Sequence, residues 1–109
     1  VANLHAPADI FVDDKQHETY VADGYGNRRV IVFDSRSGAF RRMWGGFGSR
    51  PTADPAPVPR AAGVPTTPEA GQGAPDFNGV HGVELSHDGL VYVSDRNNQR
   101  IQVFTPSGS

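Results

Sequence analysis

The apolar residues of this chain fall in short runs of four to six positions, separated by polar stretches rich in Gly, Asp, Asn and Ser. Asp9-Ile10-Phe11-Val12, Tyr20-Val21-Ala22-Asp23, Arg29-Val30-Ile31-Val32-Phe33-Asp34 and Phe40-Arg41-Arg42-Met43-Trp44 follow one another in this way. Runs of that length, rich in β-branched and aromatic side chains and bounded by turn formers, predict antiparallel strands joined by tight turns. After a long interruption the pattern returns as Gly82-Val83-Glu84-Leu85, Tyr92-Val93-Ser94-Asp95 and Arg100-Ile101-Gln102-Val103-Phe104-Thr105. The expected strands, a to d, are 8–13, 18–23, 29–34 and 39–44 in the first set. In the second set they are 81–86, 90–95 and 100–105, with no fourth before Ser109.

The two sets are copies of one unit. Tyr20-Val21-Ala22-Asp23 and the arginine-led strand after it correspond to Tyr92-Val93-Ser94-Asp95 and its successor, and the intervening turns, 24–28 and 96–99, differ by one residue. Repetition of a sheet-sized unit marks an array architecture, and small four-stranded sheets in tandem are the blades of β-propellers. The expected fold is therefore all-β: two four-stranded blades, the second lacking its last strand. The division is 1–44 for the first blade, 45–79 for a Gly/Pro-rich inter-blade loop and 80–109 for the second, incomplete blade. Residues 51–75 hold 7 of the 9 prolines and no aromatic, Ile or Leu. Such a stretch cannot build a core and reads as an extended or partly disordered loop. Its length also suits a lid or binding loop.

Composition narrows the function classes. Leu, Ile, Val and Phe total 24 of 109 residues, half of them valine, which favours strands over a helical bundle. No apolar run approaches the ~18–20 residues needed to cross a bilayer, so no membrane partner is expected. With no cysteine, disulfides and thiol catalysis are excluded. Residues 1–50 carry 7 basic and 6 acidic side chains and residues 51–109 carry 3 and 6, for a net charge of −2. Nucleic-acid binding through Arg28, Arg29, Arg41 and Arg42 is disfavoured by that balance. Val1 is not a start methionine, so the chain is expected to be trimmed or internal to a longer protein.

Topology selects the candidate chemistry. Connections in an up-and-down sheet alternate between its two ends, so both b–c turns and the start of each strand a share one end. Tyr25 lies in the first b–c turn, Arg96 in the second, and His81 begins strand a of the second blade. Three chemically capable side chains thus converge on one mouth. Their plain alternatives are an aromatic lid for Tyr25, a surface turn residue for Arg96 and a hydrated polar residue for His81. Asp23 with Arg29 and Asp95 with Arg100 recur in both copies, which points to scaffolding. Trp44 and Phe40 are expected to pack between blades. His81 and His87 are no metal pair, because six extended steps of ~3.3 Å separate them by ~20 Å. His5 and His17 have no partners legible in the sequence. Phosphate-binding loops, dinucleotide fingerprints and nucleophile elbows are absent from the sequence.

The run Y-V-A-D-G-Y-G-N-R-R-V-I-V-F-D, then W-G, V-H-G-V and Y-V-S-D-R-N-N-Q-R-I-Q-V-F, resembles NHL repeats, the units of six-bladed propellers. Within that superfamily it is similar to peptidyl-α-hydroxyglycine α-amidating lyase and its bacterial NHL relatives, from about Leu4 to Pro106. That resemblance implies zinc, or another divalent metal, held at the channel by histidines from alternating blades. His81 matches one of them and Ala8 stands at the equivalent place in the first blade. It also implies Tyr25 as base and Arg96 as the residue that orients a substrate carboxylate. The implied reaction splits a peptidyl-α-hydroxyglycine into a peptide amide and glyoxylate. The family carries a cysteine where this chain has Gly26, and only one of its three metal histidines is present. The residues fix no compartment; the resemblance is compatible with an extracytoplasmic one.

Two blades leave two bare edges and cannot close a ring. Three copies would give six blades and hide the edges by cyclic symmetry, so the chain itself, as a homotrimer, is the expected partner. Three His81 side chains would then face the axis, with residues 1–5 of a neighbour filling the edge left by the missing fourth strand. The rival is a fragment of a longer propeller. The function expected is a metal-dependent, lyase-like or ligand-binding site for a small molecule or peptide. The alternative is a non-catalytic scaffold that binds protein or peptide.

Overall fold

The computed structural model describes residues 3–51 and 75–109. Most of the proline-rich loop lies outside the described residues. β1 (Asp9–Asp13), β2 (Glu18–Asp23), β3 (Arg29–Asp34) and β4 (Phe40–Trp44) form a four-stranded antiparallel sheet in chain order. β5 (Val80–Leu85), β6 (Val91–Asp95) and β7 (Arg100–Phe104) form a three-stranded one. The chain is all-β, with two short 3-10 turns at Gly46–Gly48 and Arg96–Asn98 and no α-helix among the described residues. These are the two predicted sheets, with every strand end within a residue of its expected place.

Strand alternation decides which side chains meet. In the first sheet Tyr20 pairs with Phe11 and Val32, and Ala22 with Val30, which in turn pairs with Trp44. In the second, Val83 pairs with Val93 and Val93 with Gln102, while Val91 pairs with Leu85 and Phe104. These two faces pack on each other, with β5 lying across β1 and β2. Tyr20, Ala22, Val30, Val32 and Trp44 meet Val80, Val83, Val91, Val93 and Phe104 in one core, joined by the fully buried Phe77 just upstream of β5. Trp44 sets its ring 6.4 Å from Tyr20 and 5.8 Å from Phe104, centroid to centroid. Aromatic pairs at such distances add about 0.5–1.5 kcal/mol each beyond area burial. Gly108, at φ +90°, lets the chain end close under the Trp44 ring, where a Cβ would come within 2.7 Å of it.

Trp44 is thus between the sheets, as expected, but Phe40 is not. The β3–β4 register shifts between Val32 and Phe33 and sets Phe40 opposite Phe33, on the face turned away from the second sheet. Phe40 is consequently exposed.

The same polar clip is built twice. Asp23 accepts hydrogen bonds from Arg29 Nε at 2.8 Å, Asn27 Nδ2 at 2.7 Å and the His5 amide at 2.9 Å. Asp95 accepts from Arg100 Nε at 2.7 Å, Asn98 Nδ2 at 2.8 Å and the Asn78 amide at 2.7 Å. Arg29 also donates to the Asn3 carbonyl and Arg100 to that of Asp76. Each clip ties the segment that enters strand a to the following b–c turn, which is the scaffolding expected of repeated Asp and Arg. Residues 3–5 are therefore engaged by their own blade. At the far end of the chain, Thr105 to Ser109 folds as Asp34 to Ala39 does after β3: Thr105 N–H bonds to Ser109 O at 2.8 Å and Asp34 N–H to Ala39 O at 2.8 Å. The chain has reversed direction by Ser109, and among the described residues β7 pairs only with β6.

Candidate functional site

The first b–c turn leans on the start of β5. A Cβ at Gly24 would overlap the carbonyl oxygen of Val80, so only glycine permits that approach. The turn thereby brings the Tyr25 ring edge-on to the His81 ring, with centroids 5.8 Å apart and planes at 79°. His81 itself is the extra residue of a β-bulge, since Val80 pairs with Asp95 and Gly82 with Ser94, leaving His81 without a cross-strand partner. A bulge re-aims the side chain it frees, and His81 is exposed. Arg96 reaches the same neighbourhood through its backbone: its N–H bonds to the Gly79 carbonyl at 3.2 Å, two residues before His81. Its side chain is exposed. The structure thus puts Tyr25 and His81 in contact and anchors Arg96 beside the entry to their strand.

His5 joins this end of the sheet, unforeseen. The Gly26 amide bonds to the His5 carbonyl at 2.9 Å, and a Cβ at Gly26 would overlap the His5 imidazole. The glycine where the resembled family carries cysteine is therefore covered by His5. His17 has a partner too, lying 2.7 Å from Arg36 Nη2 through Nε2. His87 lies beyond the other end of β5, in the turn before β6.

Among the described residues the donor set for a metal is incomplete. Among the described residues no three His, Asp or Glu side chains are grouped closely enough to hold an ion. His81 has an aromatic neighbour rather than a second ligand among them, so the described residues of one copy do not complete a zinc site.

At the opposite end of the sheets lies a charged cluster that no sequence motif marked. Glu18, buried, accepts from Arg42 Nη1 and Nη2 at 2.6 Å each, from Arg41 Nη1 at 2.8 Å and from the Tyr20 hydroxyl at 2.7 Å. The Arg42 hydrogen bonds, with Tyr20 and Arg41 behind them, outweigh burial and pull the Glu18 carboxyl down to about 2. Burial, then the adjoining Glu18, pushes the Tyr20 hydroxyl above the usual phenol range. Arg42 Nε donates to the Pro106 carbonyl at 2.6 Å and so bridges the two sheets. The one signal in the sequence is Glu18 two residues before Tyr20, which puts both on the same strand face. With Arg29 on Asp23 and Arg41 and Arg42 on Glu18, three of the four clustered arginines are paired with carboxylates.

Two successive sheets with the same internal clip, the same register and a shared hydrophobic seam are consecutive blades. The family model of the NHL repeat matches residues 77–104. Residues 77–104 are an NHL repeat. The matched stretch is the second blade, and the first blade is its structural copy. NHL repeat-containing protein 3 of Mus musculus is 33% identical over 100 residues, which cover 90% of this chain and 22% of that protein. The Homo sapiens protein of the same name is likewise 33% identical over 100 residues, with the same coverage. Peptidyl-glycine alpha-amidating monooxygenase of Mus musculus is 32% identical over 99 residues, covering 90% of this chain and 8% of that protein. The chain spans about a fifth or less of the curated relatives it matches.

Proposed function

We propose that this chain is a propeller unit whose b–c turn mouth binds a small molecule or peptide, with lyase-like chemistry on a peptidyl-α-hydroxyglycine. The carrying observation is the contact of Tyr25 with His81 at the bulge in β5. A phenol against an imidazole offers a proton acceptor and donor side by side. A guanidinium nearby suits a carboxylate. A substrate with a hydroxyl to deprotonate and a carboxylate to hold would use all three, releasing a peptide amide and glyoxylate. The similarity to a protein named for α-amidation supports that substrate class. Zinc or another divalent ion enters this reading only with His81 from three copies around one axis, which a homotrimer would supply.

The test is glyoxylate release from a peptidyl-α-hydroxyglycine, alongside metal analysis of the purified protein. Wild type should release glyoxylate and carry one metal ion per three chains. Tyr25→Phe should abolish release while retaining metal, and His81→Ala should lose both. The second reading, a non-catalytic scaffold for protein or peptide, draws support from the incomplete donor set. It is the outcome if wild type is inert and metal-free.

A further inference from the structure

Four buried donors among the described residues have no acceptor: Arg28 Nε, Trp44 Nε1, Arg100 Nη1 and Gln102 Nε2. An unpaired buried donor costs stability, and natural folds keep few of them. Two of the four meet at one residue. Phe47 donates its amide to Gln102 Oε1 at 2.8 Å and lays its ring 4.8 Å from the Arg100 guanidinium carbon. Arg100 and Gln102 stand two apart on β7 and so share a face, and Gln102 is 8% exposed.

The first blade supplies the comparison. Arg29 and Arg100 open β3 and β7 and make the same clip, so Gln102 corresponds to Ile31. Arg29 Nη1 donates to Met43 Sδ at 3.7 Å, and Ile31 has no polar group to satisfy. In the second blade Arg100 Nε and Nη2 make the clip, Nη1 is left over, and an amide stands where the copy has an isoleucine. The clip needs neither difference, since both blades form it. Both unpaired groups are donors, so what they lack is an acceptor. A carboxylate offers two oxygens in one plane and matches the guanidinium fork. Asp95 already balances Arg100, whereas Arg28, whose carbonyl lies close to Gly45, has no carboxylate partner among the described residues. That excess positive charge favours an anion over water.

Phe47 is the residue in the way. It sits at φ 53° and ψ 28°, a backbone conformation that bulky side chains seldom take. Its ring is 65% exposed although one face rests on Arg100. Gly46 and Gly48 flank it and give the ring no side chain to lean on. Release of the strained backbone offsets part of the lost cation–π contact when the ring leaves.

We infer that Arg100 and Gln102 form a latent carboxylate site with Phe47 as its plug. The ring swings off Arg100, one carboxylate oxygen accepts from Arg100 Nη1, and the other accepts from Gln102 Nε2. The occupant is a small free acid or the C-terminal carboxylate of a peptide. The site uses neither Tyr25 nor His81, so it stands apart from the lyase reading.

Acetate, exchanged for chloride at constant ionic strength, is the probe. In the 109-residue chain it should shift the Gln102 side-chain amide resonances saturably and raise the melting temperature. Phe47→Ala removes the plug and should saturate at several-fold lower acetate. Gln102→Ile copies the first blade and should need at least tenfold more acetate for the same rise in melting temperature. N-acetylglycine run beside acetate separates the sources: saturation at lower concentration supports a peptide terminus, and at higher concentration a small free acid. Amide resonances unmoved in both wild type and Phe47→Ala overturn the site. So does a Gln102→Ile variant with the wild-type response, or a long-lived water beside the Gln102 amide that persists at high acetate.

Discussion

The Arg29 guanidinium is held 2.8 Å from the Asp23 carboxylate, and that carboxylate is wholly shielded from solvent. The pair also holds the entering chain, through the His5 amide and the Asn3 carbonyl. Removing one partner from a buried ion pair costs about 3–5 kcal/mol, because the other charge stays buried and unpaired. Asp23→Ala should therefore lower unfolding stability by that amount in urea titration. Asp95→Ala should cost less, since Arg100 is the more exposed of the two arginines. Equal, small losses of below about 1 kcal/mol for both would show that the clips contribute little.

Acid should attack the far end of the blades first. The Glu18 carboxyl sits near 2 in the folded chain against 4.5 ordinarily. Its folded value is depressed, so its contribution is fully present above 4.5 and is lost as pH falls from there toward 2. The difference corresponds to about 3 kcal/mol. Asp34, also pulled down, chiefly by the Ser37 amide and by Arg41, acts in the same direction. Urea midpoints measured between pH 6 and pH 2 should fall across that window, and Glu18→Gln should flatten the slope. A midpoint independent of pH there would contradict the cluster geometry.

Two glycines in one turn should respond differently to alanine. At Gly24 the obstacle is backbone, the Val80 carbonyl, and the turn must lift from β5. Overpacking of this kind costs about 1–3 kcal/mol. At Gly26 the obstacle is the His5 ring, an exposed side chain that can swing aside. Gly26→Ala should stay within about 0.5 kcal/mol of wild type. Gly24→Ala should also lose the Tyr25–His81 contact, visible as a shift of the His81 ring resonances.

Trp44 is the single tryptophan of the chain and lies in the seam between sheets. Its fluorescence should be blue-shifted in the folded protein and move to the red on unfolding. Trp44→Ala should cost about 3–5 kcal/mol in thermal or urea melts. Phe40→Ala, at an exposed ring, should leave the stability of a single copy nearly unchanged.

The strands were legible because each is a short β-branched run ending at turn formers, and because the second copy checks the first. The Asp23 and Asp95 clips were readable for the same reason: a repeated residue has a repeated job. Phe40 escaped because a bulge at Val32–Phe33 is a one-residue register change, which alternation alone does not reveal. The Glu18 cluster escaped because its members come from strands b and d, and only pairing through β3 sets Arg42 near Glu18. Tyr25 and His81 could be placed at one end of the sheet from topology. Their ring contact depends on the bulge at His81 and the close approach of Gly24, neither of which a strand pattern encodes.

Asp9 has one more consequence. Its carboxylate crosses the internal seam to accept the Val83 amide at 3.0 Å, and its counterpart in the second blade is Gly82, which has no side chain. The stitch is therefore one-sided: it ties β1 to β5 at one point of an apolar seam and resists sliding of one blade along the other.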